Sequence, residues 1–269
     1  SLKDVPAELA AGCALAAVLQ RTDPMDAVCL PLGERPRAEA PRATLTGTDA
    51  GEVVAGGDAA SMPAGRLLAG LPATARVGTS SLRRRTQLLA LRSDLQVCAV
   101  RGNIGSRLDK LDAGRHEALV LARAGLSRLG LVGRATASFA LEEMLPAAGQ
   151  GALAVEVRLA DDRARARLQV FDDRKTRLAT TAERTFMRSL GGSCTVPMAA
   201  YAEVDGKAVA RVRLRALVGD VDGNVLRDEE CGSAEEAESL GSRLAERMLR
   251  QGGAELLGRA AAHPAEEGR

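Results

Sequence analysis

Strands and helices alternate in the middle of the chain, and this alternation restricts the possible folds more than any other feature. The apolar runs and helical periods predict five successive elements: a strand at 75–77, a helix at 81–91, a strand at 95–100, a helix at 104–113 and a strand at 118–122. Strands that are joined through helices form a parallel sheet with helices on its faces. Ligands of such sheets bind at the carboxyl ends of the strands. The residues that directly follow each strand are therefore the first candidates for a functional site.

Two of these strand ends carry arginines where a helix begins. Residues 77–85 read VGTSSLRRR and residues 100–107 read VRGNIGSR. Helix N-termini attract anions through their free N–H groups and the helix dipole, and arginine binds carboxylates and phosphates in a bidentate manner. Because parallel strands end at one edge, these arginines, joined by Arg128 after the third strand, could converge on a ligand with several carboxylates. The alternative is a solvated basic helix face in an arginine-rich chain, and the spacing matches neither a dinucleotide fingerprint nor a P-loop.

The residues from 174 onwards predict a different module. A helix at 181–190 leads into the sequence GGSC at 191–194. Strand-like runs at 198–204 and 209–217 are followed by a further short strand, with the hairpin-forming Asp-Gly pairs at 205–206 and 222–223. The final helix opens with a capping box at 233–236. This end of the chain is therefore predicted to be a small antiparallel sheet with helices, an α+β module.

The distribution of apolar residues and the composition divide the chain into five segments. Residues 32–70 are rich in Pro, Gly, Ala and Thr without a sustained apolar period, which is typical of a flexible insertion. An apolar segment at 152–157 could be a strand that returns to another sheet. The predicted parts are 1–31 (part of a first domain), 32–70 (the insertion), 71–147 (a second, α/β domain), 148–173 (a return to the first domain) and 174–269 (the C-terminal α+β domain).

The charge balance and hydropathy exclude several classes of protein. The 269 residues contain 37 Lys and Arg against 35 Asp and Glu, so the chain lacks the field that drives nonspecific binding to nucleic acid, and only 1% of residues are aromatic. No apolar run reaches the roughly 18 to 20 residues that span a bilayer, and the N-terminus lacks the pattern of a signal peptide. We expect a cytoplasmic monomer that binds neither nucleic acid nor membranes.

Cysteine and histidine usage narrows the possible chemistry. The five cysteines have no C-x-x-C spacing, which argues against a disulfide framework and a structural zinc site. His116 and His263 are the only histidines, so a histidine triad or multi-histidine metal site is not expected, and we predict no metal site. Catalysis would then depend on carboxylates, thiols and arginines. Cys194 lies in a loop, where a thiol is more accessible than in a core, although a lone cysteine is more often inert than catalytic.

Six segments together form an ordered set of motifs. They are SLKDVP at 1–6, VGTSSLRR at 77–84, RGNIGSRLDKL at 101–111, AGLSRL at 124–129, PAAGQGA at 146–152 and CTVP at 194–197. Their sequences and order resemble those of the porphobilinogen deaminase (hydroxymethylbilane synthase) family, which covers most of the chain outside the insertion. Ser106 replaces a threonine of the family pattern, and Gly-Gly-Ser-Cys replaces the commoner Gly-Gly-Cys. The first motif lacks its histidine, so the resemblance implies that the N-terminal part of the first domain is not included.

The resemblance implies an architecture and a reaction. The fold would be α/β, with two periplasmic-binding-protein-like domains around a cleft plus a C-terminal α+β domain. A dipyrromethane cofactor, made from two substrate units, would be joined through a thioether to Cys194. The enzyme, a transferase of haem biosynthesis, would condense four porphobilinogen molecules head to tail into hydroxymethylbilane with release of ammonia. Each porphobilinogen would lose ammonia to give an electrophilic azafulvene, which the terminal pyrrole attacks.

The resemblance also implies roles for individual residues. Asp4 would be the catalytic carboxylate, contacting pyrrole N–H groups and stabilising the cations. The side chains that would bind the acetate and propionate groups are Lys3, Thr79, Ser81, Arg83, Arg84, Arg101, Arg107, Arg128 and Gln150. Fixed cations suit a growing chain that carries two carboxylates per pyrrole. The alternatives are an inactive fragment or a non-enzymatic protein of the same architecture that binds carboxylate ligands.

Overall fold

The computed structural model describes residues 1–34, 63–192, 196–205 and 210–262. The strands in these residues are β1 (Cys13–Val18), β2 (Asp26–Cys29), β3 (Arg76–Gly78), β4 (Gln96–Cys98), β5 (Ala118–Ala122), β6 (Ala137–Ser138), β7 (Ala154–Arg158), β8 (Met198–Asp205), β9 (Arg211–Gly219) and β10 (Val225–Ser233). The α-helices are α1 (Ala64–Ala69), α2 (Leu82–Leu91), α3 (Ile104–Asp112), α4 (Arg123–Arg128), α5 (Asp162–Leu168), α6 (Arg174–Ser189), α7 (Ala237–Met248) and α8 (Ala254–Ala262). The chain is thus a mixed α/β protein. In the described ranges, no helix is both long and apolar enough to cross a membrane.

The central sheet has five strands in the order β4-β3-β5-β2-β6. β3 is parallel to β4 and to β5, as the alternating pattern predicts. β2 is antiparallel to both β5 and β6. Residues 26–29 therefore pair within the sheet of residues 71–147, although the sequence grouped them with a first domain over 1–31. All four residues of β2 are buried, which is consistent with the interior position of β2 between β5 and β6.

Helix α1 corrects the prediction of a flexible insertion over residues 32–70. Ala64, Leu67 and Leu68 are buried in the same apolar cluster as Val77 and Val120 of the central sheet. Apolar residues three and four positions apart share one face of a helix, so even this six-residue helix can cover the sheet. The remaining part of the predicted insertion, residues 35–62, lies outside the described residues.

A separate two-stranded sheet joins the beginning of the chain to its middle. β1 pairs antiparallel with β7, with Cys13 opposite Arg158 and Val18 opposite Ala154. This confirms the expectation that the apolar segment at 152–157 returns to another sheet. Asp172, which follows α5, accepts a hydrogen bond from the Val18 backbone N–H at 2.7 Å. These contacts place the segment after β1 beside the beginning of α6.

The C-terminal module is an antiparallel sheet in the order β10-β9-β8, with α6 and α7 packed on one face. Its core contains Phe186, Leu214, Leu240 and Met248, all fully buried. The predicted capping box at 233–236 is confirmed, and a short 3-10 turn there precedes α7. α6 begins seven residues earlier than predicted, at Arg174, because the side chain of Asp173 caps a first turn that is polar. The predicted turn at 205–206 falls partly on residues 206–209, which lie outside the described residues.

Candidate active site

A cavity of about 340 Å³ lies where the N-terminal segment meets α2 and the end of α6. Among the predicted residues, Lys3, Asp4, Ser81 and Arg83 line it. Asp4 ends a short 3-10 helix, Leu2–Asp4, and its side chain is 63% exposed. Lys3 Nζ lies 2.8 Å from Asp4 Oδ1, so the carboxylate at this cavity has a cation beside it. We call this space the Asp4 cavity.

Buried contacts on both sides hold the segment that carries Asp4. Leu2 is fully buried against Val18 and Ala152, and its N–H donates to the Ala152 carbonyl at 3.1 Å. After Asp4, the Arg184 guanidinium donates to the carbonyl groups of residues 5, 6 and 7 at 3.0, 2.6 and 3.2 Å. One side chain of α6 thus binds three successive carbonyls of the loop. Sequence reasoning missed Arg184, because nothing in the helical pattern around it distinguishes it from the other arginines of α6.

Residues close to Cys194 in the sequence line the same cavity. Residues 193–195, and therefore Cys194, lie outside the described residues. The residues on either side of them, Gly192 and Val196, both line the Asp4 cavity. The Gly192 N–H donates to the Met187 carbonyl at 2.8 Å, which attaches the loop to the end of α6. Gly192 has a φ of +48°, a backbone conformation that favours glycine.

Two of the predicted arginines converge on a carboxylate that the sequence analysis did not select. Asp26, the first residue of β2, is fully buried. Its Oδ1 accepts hydrogen bonds from Arg84 Nη2 at 2.7 Å and Nε at 3.1 Å, and its Oδ2 lies 2.8 Å from Arg83 Nη2. Burial alone would raise the pKa of Asp26, but the charges and hydrogen bonds of the two arginines outweigh burial and lower the pKa to about 2. The carboxyl group is therefore ionised at neutral pH.

Gln150 completes this buried cluster. Its Nε2 donates to Asp26 Oδ1 at 2.9 Å and to the Pro24 carbonyl at 2.6 Å, and its Oε1 lies 3.5 Å from Arg83 Nη2. The structure thus brings the predicted residues Arg83, Arg84 and Gln150 together around an internal carboxylate. The only sequence signal for Asp26 is a charged residue that begins an apolar run, and this pattern is too common to select it.

The two predicted hydroxyl residues lie at the beginning of α2. Ser81 is its N-cap residue, and the Ser81 hydroxyl accepts a hydrogen bond from the Arg84 N–H at 3.4 Å. Thr79 is buried, and its hydroxyl accepts from the Ser81 N–H at 3.3 Å. Both hydroxyls therefore fix the helix end, and Ser81 also faces the Asp4 cavity. The predicted anion-attracting helix N-terminus lies beside this cavity.

The remaining predicted arginines, Arg101, Arg107 and Arg128, are outside the lining of the Asp4 cavity in the described ranges. Arg107 donates from Nε to the Gly102 carbonyl at 2.8 Å, and burial followed by the positive charge of Arg84 lowers the pKa of Arg107. This repulsion indicates that Arg107 is near the Asp26 cluster. Arg128 is exposed and donates to the Gly151 carbonyl at 2.9 Å, and Arg101 is exposed after β4. Within the described ranges, these three arginines are not among the side chains that line the Asp4 cavity.

A second buried ion pair joins Arg21 to α6. Arg21 forms a bidentate pair with Glu183 of α6, with N–O distances of 2.7 and 2.6 Å. Glu183 is fully buried and also accepts hydrogen bonds from the N–H groups of Gly149 at 2.7 Å and Ala202 at 2.8 Å. The pair therefore joins the segment after β1, the loop that contains Gln150 and the C-terminal module. It was not predicted, since its partners are 162 residues apart.

Comparison with known protein families gives two matches. The family described as porphobilinogen deaminase, dipyromethane cofactor binding domain, matches residues 1–166. The family described as porphobilinogen deaminase, C-terminal domain, matches residues 177–250. The two matches together include Asp4, the Asp26 cluster, α6 from residue 177 and the loop that contains Cys194.

Proposed function

The chain belongs to the porphobilinogen deaminase family, and we propose that the Asp4 cavity is where it binds its cofactor and its substrate. Its activity is that of a hydroxymethylbilane synthase, a transferase of tetrapyrrole biosynthesis that condenses four porphobilinogen molecules head to tail and releases ammonia. The match over residues 1–166 is to a dipyrromethane-binding domain, so dipyrromethane is its cofactor. Neither match supports the alternative of an inactive fragment or a non-enzymatic binding protein.

One observation carries the assignment of the site. Asp4 lines the same cavity as Gly192 and Val196, the residues that flank the segment containing Cys194. A group attached to that segment would therefore extend beside a carboxylate. The cations Lys3, Arg83 and Arg184 line the same space and suit the acetate and propionate groups of a pyrrole. This donor set fits the cofactor, and we assign its thioether attachment to Cys194.

The cofactor, when bound, supplies the nucleophilic pyrrole carbon to which substrate units are added. We assign the positioning of this carbon and of the reacting substrate to Asp4. A carboxylate accepts hydrogen bonds from pyrrole N–H groups, and its negative charge stabilises the positive charge that develops when ammonia leaves. Lys3, whose Nζ lies 2.8 Å from Asp4 Oδ1, would keep this carboxylate oriented.

We assign the binding of the acetate and propionate groups to the predicted polar residues in two groups. The first, at or beside the cavity, consists of Lys3, Thr79, Ser81, Arg83, Arg84 and Gln150. The second, further along the strand ends, consists of Arg101, Arg107 and Arg128. A growing product gains two carboxylates with each pyrrole, so cations at increasing distance from Asp4 could hold successive units.

We also propose the finer features of architecture and location. Of the two domains of the periplasmic-binding-protein type, one would contain the five-stranded sheet and the other the β1-β7 sheet. The domain with the five-stranded sheet would include β2 and α1 in addition to residues 71–147. Support comes from the sheet pairings. The protein would act in the cytoplasm as a monomer and bind neither nucleic acid nor membranes. Support comes from the balanced charge and, in the described part of the chain, from Cys13, Cys98 and Cys231, which are free thiols.

Intact mass spectrometry tests the site assignment. The purified chain, incubated with porphobilinogen, should carry an adduct of two pyrrole units. Cys194→Ala should abolish this adduct, whereas the matched variant Cys231→Ala, at an exposed thiol outside the cavity, should retain it. An adduct that persists in Cys194→Ala would refute the assignment of Cys194.

A further inference from the structure

The Asp26 cluster contains a carboxylate that none of the roles above uses. Asp26 is fully buried. Its carboxylate oxygens lie 2.7 Å from Arg84 Nη2, 2.8 Å from Arg83 Nη2 and 2.9 Å from Gln150 Nε2. Separating a buried ion pair leaves an uncompensated buried charge, which costs much free energy. Each charged side chain of the cluster therefore keeps its partner in place. We propose that Asp26 is a positioning residue for the reaction: it holds Arg83 towards the Asp4 cavity and leaves the arginine pair with one positive charge for a ligand carboxylate. This inference rests on the proposed function of the Asp4 cavity.

One hydrogen bond and one ion pair of Arg83 explain how the carboxylate orients it. Nη1 of Arg83 donates to the Leu145 carbonyl, and Nη2 contacts Asp26 Oδ2 at 2.8 Å. These two anchors fix the plane of the guanidinium, since it is rigid and planar. Nε of Arg83 has no acceptor among the described residues, although it is buried. Arg83 is also the member of the pair that lines the Asp4 cavity. The side chain with an unsatisfied donor is thus the one next to the proposed ligand.

The charges of the cluster set what it can bind. Arg83 and Arg84 contribute two positive charges and Asp26 one negative charge, and all three side chains are at most 10% exposed. The cluster therefore has a net charge of plus one in a region with little water to screen it. One ligand carboxylate would balance this charge, whereas two would leave an excess negative charge. The arginine pair is therefore assigned a single acetate or propionate group, and the other carboxylates of the pyrroles bind elsewhere.

The variant Asp26→Asn tests this role, with Asp23→Asn as its matched control. Asp23 is on the same segment and also pairs with an arginine, Arg123, at 2.6 Å, but its side chain is 40% exposed. Three quantities are measured for the wild type and both variants: dipyrromethane loading by intact mass after incubation with porphobilinogen, the melting temperature, and kcat and KM for porphobilinogen. Assays run well below the lowest melting temperature, so that only folded protein is compared.

A positioning role predicts a specific pattern. Asp26→Asn should load the cofactor more slowly or incompletely, and kcat/KM of the loaded fraction should fall at least about tenfold, chiefly through KM. Asp23→Asn should load normally and keep kcat/KM within about twofold of the wild type. If Asp26→Asn melts at a lower temperature but loads and turns over like the wild type, Asp26 is only structural and the inference is wrong.

A second variant keeps the test decisive if Asp26→Asn fails to fold. Asp26→Glu retains the negative charge but moves the carboxylate by one methylene group. The proposal predicts that it folds and loads the cofactor, and that its KM rises at least about fivefold, since misplacement of a binding group by about 1 Å is costly. An unchanged KM in a folded Asp26→Glu variant would overturn the proposal. Failure of the wild type to load the cofactor would instead count against the proposed site, and so separates the two hypotheses.

Discussion

Arg21 and Glu183 form a buried bidentate ion pair, with N–O distances of 2.7 and 2.6 Å, between residues that are 162 positions apart. Glu183 also accepts hydrogen bonds from the backbone of two further segments. Breaking a buried pair by removing one partner typically costs about 3 to 5 kcal/mol, because the other charge remains buried and unpaired. Glu183→Gln should therefore reduce the free energy of unfolding by about that amount, measured by urea denaturation.

The control for this prediction is Glu238→Gln. Glu238 pairs with Arg188 at 2.7 Å, but its side chain is 68% exposed. Exposed pairs contribute about 0 to 1 kcal/mol, so this variant should stay close to the wild type. Equal losses of stability in the two variants would contradict the importance that we give to burial of the Arg21–Glu183 pair.

Asp4→Asn should abolish most turnover while leaving the fold intact. The substitution keeps the size of the side chain but removes the negative charge opposite the developing cation, and loss of one such electrostatic group typically costs about 100-fold or more in kcat. The melting temperature should change little, since the Asp4 side chain is exposed. Glu8→Gln, a charge removal at an exposed residue four positions later, is the control and should keep full activity. Similar kcat values for Asp4→Asn and the wild type would remove Asp4 from the catalytic role.

Arg184→Gln should loosen the loop that follows Asp4. The guanidinium binds three successive carbonyls, and a glutamine can replace only part of these contacts. We expect kcat to fall by about tenfold to 100-fold, because a shift of about 1 Å in a catalytic group can cost this much. Arg188→Gln, one helical turn later at an exposed ion pair, should keep kcat within about twofold. A normal kcat in Arg184→Gln would show that the loop does not need this contact.

The pH dependence of stability should reveal the Asp26 cluster. The folded-state pKa of Asp26 is about 2, against an ordinary value of 3.8. A lowered pKa stabilises the folded state above the ordinary value, and this contribution is lost as the pH falls from about 4 through 2. The difference in unfolding free energy between the wild type and Asp26→Asn should be constant from pH 5 to pH 8 and shrink below about pH 4. A difference that changes between pH 5 and pH 8 would contradict an ionised Asp26 in that range.

Local patterns predicted the elements whose partners are close in sequence. The parallel pairing of β3, β4 and β5 follows from the alternating strands and helices. The capping box at 233–236 marked the helical segment that begins before α7. β2 and α1 were misassigned because each depends on a distant partner. The four residues of β2 are too few to show a period. The sheet that β2 joins is decided by its pairing with β5, about 90 residues later.

The residues of the candidate site were likewise predictable only where a local pattern marks them. Arg83 and Arg84 could be predicted because they lie at the beginning of the helix after β3. Asp26 and Arg184 could not, because neither a buried ion pair nor a side chain that binds backbone carbonyls leaves a periodic pattern in the sequence. Residues brought together only by the fold, such as Asp26 with Arg84 at 2.7 Å, require the structure. Asp4 was selected only by the motif resemblance, whereas the loop position of Cys194 marked it as an accessible thiol and the resemblance then suggested its role.

Measurement of the released product tests directly whether the Asp4 cavity and the Cys194 loop form the catalytic site. The purified chain is incubated with porphobilinogen, and released ammonia and hydroxymethylbilane are measured together, in parallel with Cys194→Ala and Asp4→Asn. We expect hydroxymethylbilane and about four ammonia molecules per product from the wild type, and neither from Cys194→Ala, with Asp4→Asn reduced by about 100-fold. Product formation by Cys194→Ala at the wild-type rate would contradict the assignment of the Asp4 cavity and the Cys194 loop as the catalytic site.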